Sequence, residues 1–342
     1  MTKQTQFIVR LALLVGTLIS LAFVPWLLVK AWILPLPDSL QQQADQAISH
    51  GLDGIIVYVD KAGRPPQMYA AGWHDRANKI AARPDALFKI ASIDKLFTAV
   101  AITRLVNAQR LSLDGTLAQY FPELVGRIEN ADSITLRMLA QHRSGIPNYT
   151  NSPGFWVNPT QNYQAALDLI LDQPANFAPD SDYEYCNTNY LLLGKLIEKT
   201  SGQDKFAFIQ QHILTPLKLH HTYASIDDVD MSNLMGGYHV GVADNISATH
   251  YGSMVATAAD VATFVRALND GSVFEQGGQA IYSLLYEYQH GGWIPGYQSH
   301  AEYYKDSDMV IVQFNNTTDD ELYLWNLSQI IMARMARIAQ GD

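Results

Sequence analysis

The amino-acid sequence predicts an α/β (α+β) protein: a mainly antiparallel sheet flanked by helices, with a helical lobe, preceded by one N-terminal transmembrane helix. Three observations carry this reading. Strand-like segments come in two pairs, one early in the chain and one late; the stretch between them reads mostly as helix; and residues 11–29 (LALLVGTLISLAFVPWLLV) form an uncharged apolar run. With 342 residues, 48% of them hydrophobic, the chain can bury a large core, which excludes disorder as its overall state. Its 33 acids against 23 bases give a formal net charge of −10, a field that repels nucleic acid. The single cysteine, Cys186, excludes an internal disulfide and a thiolate-rich zinc site.

At about 1.5 Å per residue the apolar run spans roughly 28 Å, close to a bilayer hydrocarbon core. The expected organisation is a cytoplasmic tail (1–10), a transmembrane anchor (11–30), a spacer stiffened by Pro35 and Pro37 (31–37), and one domain (38–342). Lys3 and Arg10 precede the run and Lys30 follows it, a slight positive-inside bias that puts the domain on the extracytoplasmic side, with Trp26 and Trp32 at the far interface. A cleavable signal peptide is one alternative, but the run is longer than the usual apolar region of about 7–15 residues and no clear small-x-small site follows. A buried first helix is another, although such helices rarely lack any polar face over this length. Residues 31–342 carry 20 bases against 33 acids, net −13, so charge is not expected to draw the domain to an anionic membrane. Membrane contact is expected through the N-terminal helix alone.

After a helical stretch at 38–49 come the strand-like segments 54–59 (GIIVYV) and 67–73 (QMYAAGW), with turn residues 61–66 between them. The late pair is 299–304 (SHAEYY) and 309–315 (MVIVQFN), joined by the polar turn 305–308. Helical patterns fill the middle at 92–109, 135–142, 163–172, 187–200, 204–212 and 258–269, and a last helix aligns Leu324, Leu327, Ile331, Met335 and Ile338. Early and late strands are expected to pair, leaving the middle as a lobe and a cleft between lobe and sheet. The stretch 92–109 is apolar on nearly all sides and is expected to run buried, its first turn facing that cleft.

At the start of this buried stretch stands Ser92-Ile93-Asp94-Lys95. A spacing of three puts the lysine one turn along on the serine's own face. A hydroxyl is a weak nucleophile until a base takes its proton, and a lysine in a dry cleft suits that task. Alone, Ser-x-x-Lys arises by chance about once in a chain of this size. Tyr185-Cys186-Asn187 opens a later helix; a phenol beside an ammonium can relay protons, and Asn187 can hold the lysine and donate to a bound acyl group. His290-Gly291-Gly292-Trp293 precedes the late hairpin, and its glycines let backbone approach a substrate closely. The N–H of Trp293 is expected to face that of Ser92 across the substrate carbonyl.

In order, spacing and framing these motifs resemble the serine β-lactamase and penicillin-binding protein superfamily, in particular its class C-like branch, over about residues 54–316. Framing segments are similar as well: LFKIA before Ser92, LSLD after its helix, ITLRMLAQHRSGIP, NTNYLLLGKLIEKTSG and TAADVATF. The resemblance implies a β-lactamase/transpeptidase-like fold and a Ser92 acyl-enzyme. Lys95 and Tyr185 would move protons, Asn187 would assist, backbone N–H groups of Ser92 and Trp293 would hold the oxyanion, and His290, Gly291 and Gly292 would line the substrate. It implies no metal and no cofactor. Where the superfamily often has Lys-Thr-Gly, this chain has His290-Gly291-Gly292. A histidine with an ordinary pKa near 6.5 is largely neutral at pH 7 and glycine has no hydroxyl, so carboxylate recognition should be weaker and neutral esters or amides favoured.

The remaining candidates read as structural. His142 is expected to brace the lobe, His220-His221 to form a loop pair without a third ligand, and Cys186 to point away from the cleft. Asp180 stands where the superfamily often has glycine, which puts the local turn in question. The leading function is a membrane-anchored, extracytoplasmic (periplasmic or extracellular) serine hydrolase acting on an ester or a D-amino-acid or cell-wall-type amide, as an esterase, D-alanyl carboxypeptidase or β-lactamase-like enzyme. Its substrate would be a small molecule or a cell-wall peptide. The alternative is a catalytically silent penicillin-binding-like protein that binds or senses a cell-wall ligand. The sequence leaves the oligomeric state open.

Overall fold

A computed structural model describes residues 2–160 and 162–341; Met1 and Asp342, the outer ends of the expected tail and domain, and Gln161 lie outside the described residues. The chain begins with helix α1 (Lys3–Ala22), long and apolar enough to cross a membrane by length and composition, and with none of it buried. The apolar run does not continue as one helix. Pro25 has no N–H to extend the ladder, and a second helix, α2 (Trp26–Ile33), starts just after it. This second half is folded into the domain: Ala31 is 1% exposed, and Leu27 and Leu28 pack on the same core. The residues expected to form the stiff spacer are also tied down. Arg334, itself buried, donates to the carbonyls of Leu34 (2.6 Å) and Pro35 (2.8 Å) and to Gln43 Oε1 (2.7 Å) of helix α3 (Leu40–Ser49).

The main sheet has six strands. They are β1 (Gly54–Lys61), β2 (Gln67–Asp75) and β3 (Ile80–Ala81) from the early chain, and β8 (His290–Ile294), β9 (Tyr297–Tyr304) and β10 (Met309–Asn315) from the late chain, in the order β3-β2-β1-β10-β9-β8. Early and late halves meet in the antiparallel pair β1–β10, from Ile55 opposite Asn315 to Lys61 opposite Met309. Both central strands are covered on two faces, which is why they read as nearly unbroken apolar runs. Ile56, Tyr58, Val310, Val312 and Phe314 enter the core shared with the helical lobe. Ile55, Val57, Val59, Met309 and Ile311 enter a second core beneath α2, α3 and the last helix.

Five further short strands were not foreseen. β4 (Phe88–Lys89), β5 (Thr222–Tyr223) and β7 (Val255–Ala256) form a small sheet with β7 in the middle, and β6 (Tyr238–His239) runs parallel to β11 (Thr317–Thr318). The expected helix at 92–109 starts as a 3₁₀ turn, Ala91–Ile93, and continues as α4 (Asp94–Asn107), buried from Lys95 to Thr103. Three later helices matter for the site: α5 (Asn187–Ser201), α6 (Ala258–Asp270) and α7 (Tyr323–Gln340). Others are shorter than their patterns suggested. The segment at 135–142 is helical only over Leu136–Ala140, because His142 takes a left-handed conformation (φ 58°). That at 163–172 stops at Asp168, and the one at 204–212 is helical over Lys205–Ile209 and then widens into a π turn.

The docking of α2 makes a testable difference. A chain beginning at residue 36 strips two carbonyl acceptors from a buried guanidinium and uncovers the core around Ala31, whereas one beginning at residue 24 keeps both. We expect the shorter chain to be less stable by about 2–3 kcal/mol or more in urea unfolding; equal midpoints would show that α2 is only a tether.

Candidate active site

The 3₁₀ turn before α4 is held open by its neighbours. Ala91 has a left-handed backbone (φ 48°), costly for a residue with a Cβ. Its N–H donates to Ser253 Oγ (2.8 Å), the N–H of Ile90 to the Met254 carbonyl (3.0 Å), and Ser299 Oγ on β9 to the Ile90 carbonyl (2.8 Å). Edge strand β8 lies against the same turn. A Cβ on Gly292 would come within 2.5 Å of the Ile90 carbonyl and 2.9 Å of Ala91 Cβ, so only glycine allows this approach. Lys89, three residues before Ser92, is buried and donates to the Thr249 carbonyl (2.6 Å), fastening the loop that carries Ser253; burial lowers its pKa to about 7.

Ser92 is half-buried in the middle of this turn, and Lys95 Nζ donates to its Oγ at 3.1 Å. Lys95 is only 8% exposed, and its Nζ lies 5.1 Å from the ring centre of Tyr185 and 5.6 Å from that of Tyr190. Among the described residues the buried Tyr185 hydroxyl has no hydrogen-bond partner, leaving it free to serve a bound group. Asn187, expected to hold the lysine, instead donates to Thr150 Oγ1 (3.0 Å), while its own N–H donates to Asn148 Oδ1 (3.1 Å). It still lines the cleft, but as part of the lacing between the 148–151 turn and the start of α5.

The cleft encloses about 860 Å³ and brings together every residue expected to react with or line the substrate except Gly292, which packs under its floor. Ser92, Lys95, Tyr185, Asn187, His290, Gly291 and Trp293 all line it. His290 Nε2 and the Tyr286 hydroxyl are 2.6 Å apart, and burial followed by the nearby Lys95 charge pushes the histidine down to about 4. It is therefore neutral at pH 7. His142 is a brace, as expected: its Nδ1 accepts the Cys186 N–H (3.1 Å), positioning the tyrosine segment, and burial with the Lys95 charge lowers its pKa to about 3. Cys186 faces the lobe, its thiol donating to the Ile146 carbonyl (3.2 Å), and burial raises its pKa. Asp180 does take the left-handed conformation that glycine favours (φ 64°), pinned there by the Arg143 guanidinium. His221 sits beside Asp260, and among the described residues no three metal-ligating side chains gather there or elsewhere.

Sequence reasoning missed an ion pair and an aromatic wall in the cleft. Asp94, inside the Ser-x-x-Lys string, pairs with Lys205 (3.0 Å), so the second cation of the cleft is already neutralised. Its position one residue before Lys95 was the available signal; Lys205 had none. Trp156 and Trp293 meet edge to face at 5.6 Å, with Phe155, Tyr149 and Tyr251 alongside.

The Beta-lactamase family model matches residues 38–287. Among curated proteins, Protein flp of Staphylococcus aureus (strain MW2) is 30% identical over 193 residues, 55% of this chain and 39% of that protein. Penicillin-binding protein 4 of Amycolatopsis lactamdurans is 30% identical over 59% of this chain and 56% of that one. The match thus spans about two-fifths to just over half of the length of these curated relatives. Among solved structures, D-amino acid amidase from Ochrobactrum anthropi SV3, complexed with L-phenylalanine amide, superposes with a TM-score of 0.76 at 22% identity, covering 88% of this chain and 97% of that one. The penicillin binding protein from Bacillus halodurans superposes with a TM-score of 0.69 at 22% identity, covering 83% and 95%.

Two outcomes test the geometry. Gly292→Ala should leave a folded protein but displace the Ser92 turn, slowing its acylation roughly a hundredfold, as expected for a misplacement near 1 Å; unchanged rates would remove the close approach from the account. His142, His290 and His300 are held neutral, with pKa values lowered to about 3, 4 and 4. The unfolded chain protonates them below its ordinary value near 6.5 while the native state does not, so stability falls as pH drops from 6.5 toward 4. Each contributes up to about 1.4 kcal/mol per pH unit. Urea midpoints at pH 7 and 5 should show this, and His300→Gln should flatten the dependence.

Proposed function

This chain belongs to the beta-lactamase family, and on that footing we propose that it is a membrane-anchored serine hydrolase that opens an ester or a D-amino-acid or cell-wall-type amide through a Ser92 acyl-enzyme. The observation that carries the reading is the 3.1 Å contact from Lys95 Nζ to Ser92 Oγ, in a cleft where the Tyr185 hydroxyl has no partner. Ser92 Oγ attacks the acyl carbon and its proton passes to the Lys95/Tyr185 pair. Backbone N–H groups of Ser92 and Trp293 receive the oxyanion. As the tetrahedral intermediate collapses, the bond to the leaving group breaks and Tyr185 returns a proton to it. Water, deprotonated by the same pair, then attacks the acyl-enzyme and frees Ser92. Asn187 orients the acyl group from the rim.

The substrate preference follows from charge. A β-lactam or D-alanyl peptide carries a carboxylate, and the side chain at the third motif is His290, neutral at pH 7. Lys205, the other cation of the cleft, is committed to Asp94. An uncharged acyl partner, flanked by Trp156, Trp293 and Tyr251, suits these walls better. Among the neighbours in fold is an amidase of D-amino acids, which bears on the amide half of the proposal. The proposal takes α1 as the anchor and the domain as extracytoplasmic; the charges at Lys3 and Arg10 support that orientation.

Intact-protein mass spectrometry tests the reading. After brief exposure to a short-chain p-nitrophenyl ester, the wild type should carry one acyl adduct that Ser92→Ala lacks, and the ester should acylate it faster than penicillin. Faster acylation by penicillin would overturn the substrate preference. No adduct with these or with a panel of D-amino-acid amides would leave a ligand-binding protein as the better description.

A further inference from the structure

Helix α2 does more than bridge anchor and domain. Its outer side, with the end of α1, leaves large apolar groups uncovered: Phe23 is 81% exposed, Trp26 55%, Trp32 73% and Ile33 65%. Between α2 and α7 runs a groove of about 450 Å³ lined by Trp32, Asn326, Gln329, Ile330, Arg334 and Arg337. Exposed Arg337 lines this groove and exposed Lys30 lies one turn after Trp26 on α2; among the described residues neither they nor Arg334 has a carboxylate within 4 Å. Their charges act on neighbouring groups instead. Burial, then Lys30 and Arg334, lowers the pKa of His50; burial, then Arg337, lowers that of Arg334. In a domain whose net charge is −13, this face is locally cationic, against the overall charge from which no attraction to an anionic membrane was expected.

We propose that the face formed by α2 and α7 is a seat for anionic phospholipid headgroups. Lys30 and Arg337 meet lipid phosphates, while Phe23, Trp26, Trp32 and Ile33 enter the interfacial layer, where aromatic rings settle. The occupant follows from continuity: α1, read as the membrane anchor, ends at Ala22, directly before these residues. The proposal rests on that reading. It turns the anchor from a loose tether into a rigid mount, because α2 is packed on the domain. The first turn of α7 carries Leu322 and Trp325 to the cleft, so the same helix borders both the lipid seat and the catalytic cleft. The cleft is then held at a fixed distance from the bilayer, favouring acyl compounds presented at the membrane surface.

The test uses the full chain in vesicles of phosphatidylcholine with phosphatidylglycerol, or of phosphatidylcholine alone. A nitroxide placed at Ile33→Cys reports depth through its accessibility to an aqueous nickel chelate. Val157→Cys, at a site 90% exposed on the lobe, gives the water-facing reference, and native Cys186 is buried. We expect the label at residue 33 to be shielded in the mixed vesicles and less so in phosphatidylcholine. Lys30→Gln with Arg337→Gln should erase that difference, each cation changing the ratio of seated to lifted domain about fivefold. A chain that stays with the vesicles through an alkaline carbonate wash but shows residue 33 as accessible as residue 157 overturns the seat and leaves the anchor intact. Shielding that ignores both the lipid charge and the double variant also overturns it, reducing the contact to apolar insertion. A chain released by the wash refutes the anchor, and the seat with it.

Discussion

The site depends on one strained residue. Ala91 must adopt a left-handed backbone to turn the chain from β4 into α4, and that turn sets Ser92 on the helix end with Lys95 one turn further on. A non-glycine residue in this region costs about 1 kcal/mol or more, so the fold has to over-determine it. It does so from three directions: Ser253 takes the Ala91 N–H, Ser299 reaches the Ile90 carbonyl, and Gly292 lets β8 close on the turn without a side chain between them. These supports come from sequence positions more than 160 residues away. The nucleophile is therefore a product of tertiary structure, although its motif is local.

The electrostatics of the cleft follow the same economy. Two histidines lie close to Lys95, and both are kept neutral by burial and by the lysine itself, so neither competes with it as a cation at pH 7. Asp94 is turned away to Lys205 and does not quench the ammonium. What faces Ser92 is one lysine and one unpartnered phenol in an aromatic cleft, an arrangement suited to moving a proton and poorly suited to holding a carboxylate.

Legibility in the sequence tracked how local each interaction is. Strands β1 and β10 could be read because both faces are buried and every position is apolar or nearly so; β8 could not, because His290-Gly291-Gly292 carries neither alternation nor β-branched residues. Ser92, Lys95, Tyr185 and His290 were recognisable as spaced motifs, and they converge. The partner of Asn187 was not: Thr150 reaches it through a fold-dependent turn. The short strands β4, β5 and β7 are two residues each, below any periodicity. Helix α2 was hidden for a different reason. Leucines 27 and 28 look the same whether they face lipid or a protein core, and only the buried Arg334, calling for the carbonyls of Leu34 and Pro35, shows which it is.

That arginine also links the two ends of the molecule. Arg334 ties the segment after α2 to α7, and α7 in turn presses Trp325 against β8, where a Cβ on Gly291 would meet the ring at 2.7 Å. The strand that carries the third motif therefore rests on the helix that borders the proposed lipid seat. Packed helices transmit displacement because interiors have little free volume. A shift of α2 relative to α7 would thus be felt at His290 and Gly291, whereas an anchor joined through an unstructured linker would leave the cleft indifferent to the membrane. With α1 in a bilayer, as proposed, the docked α2 would make the position of that bilayer a structural input to the active site.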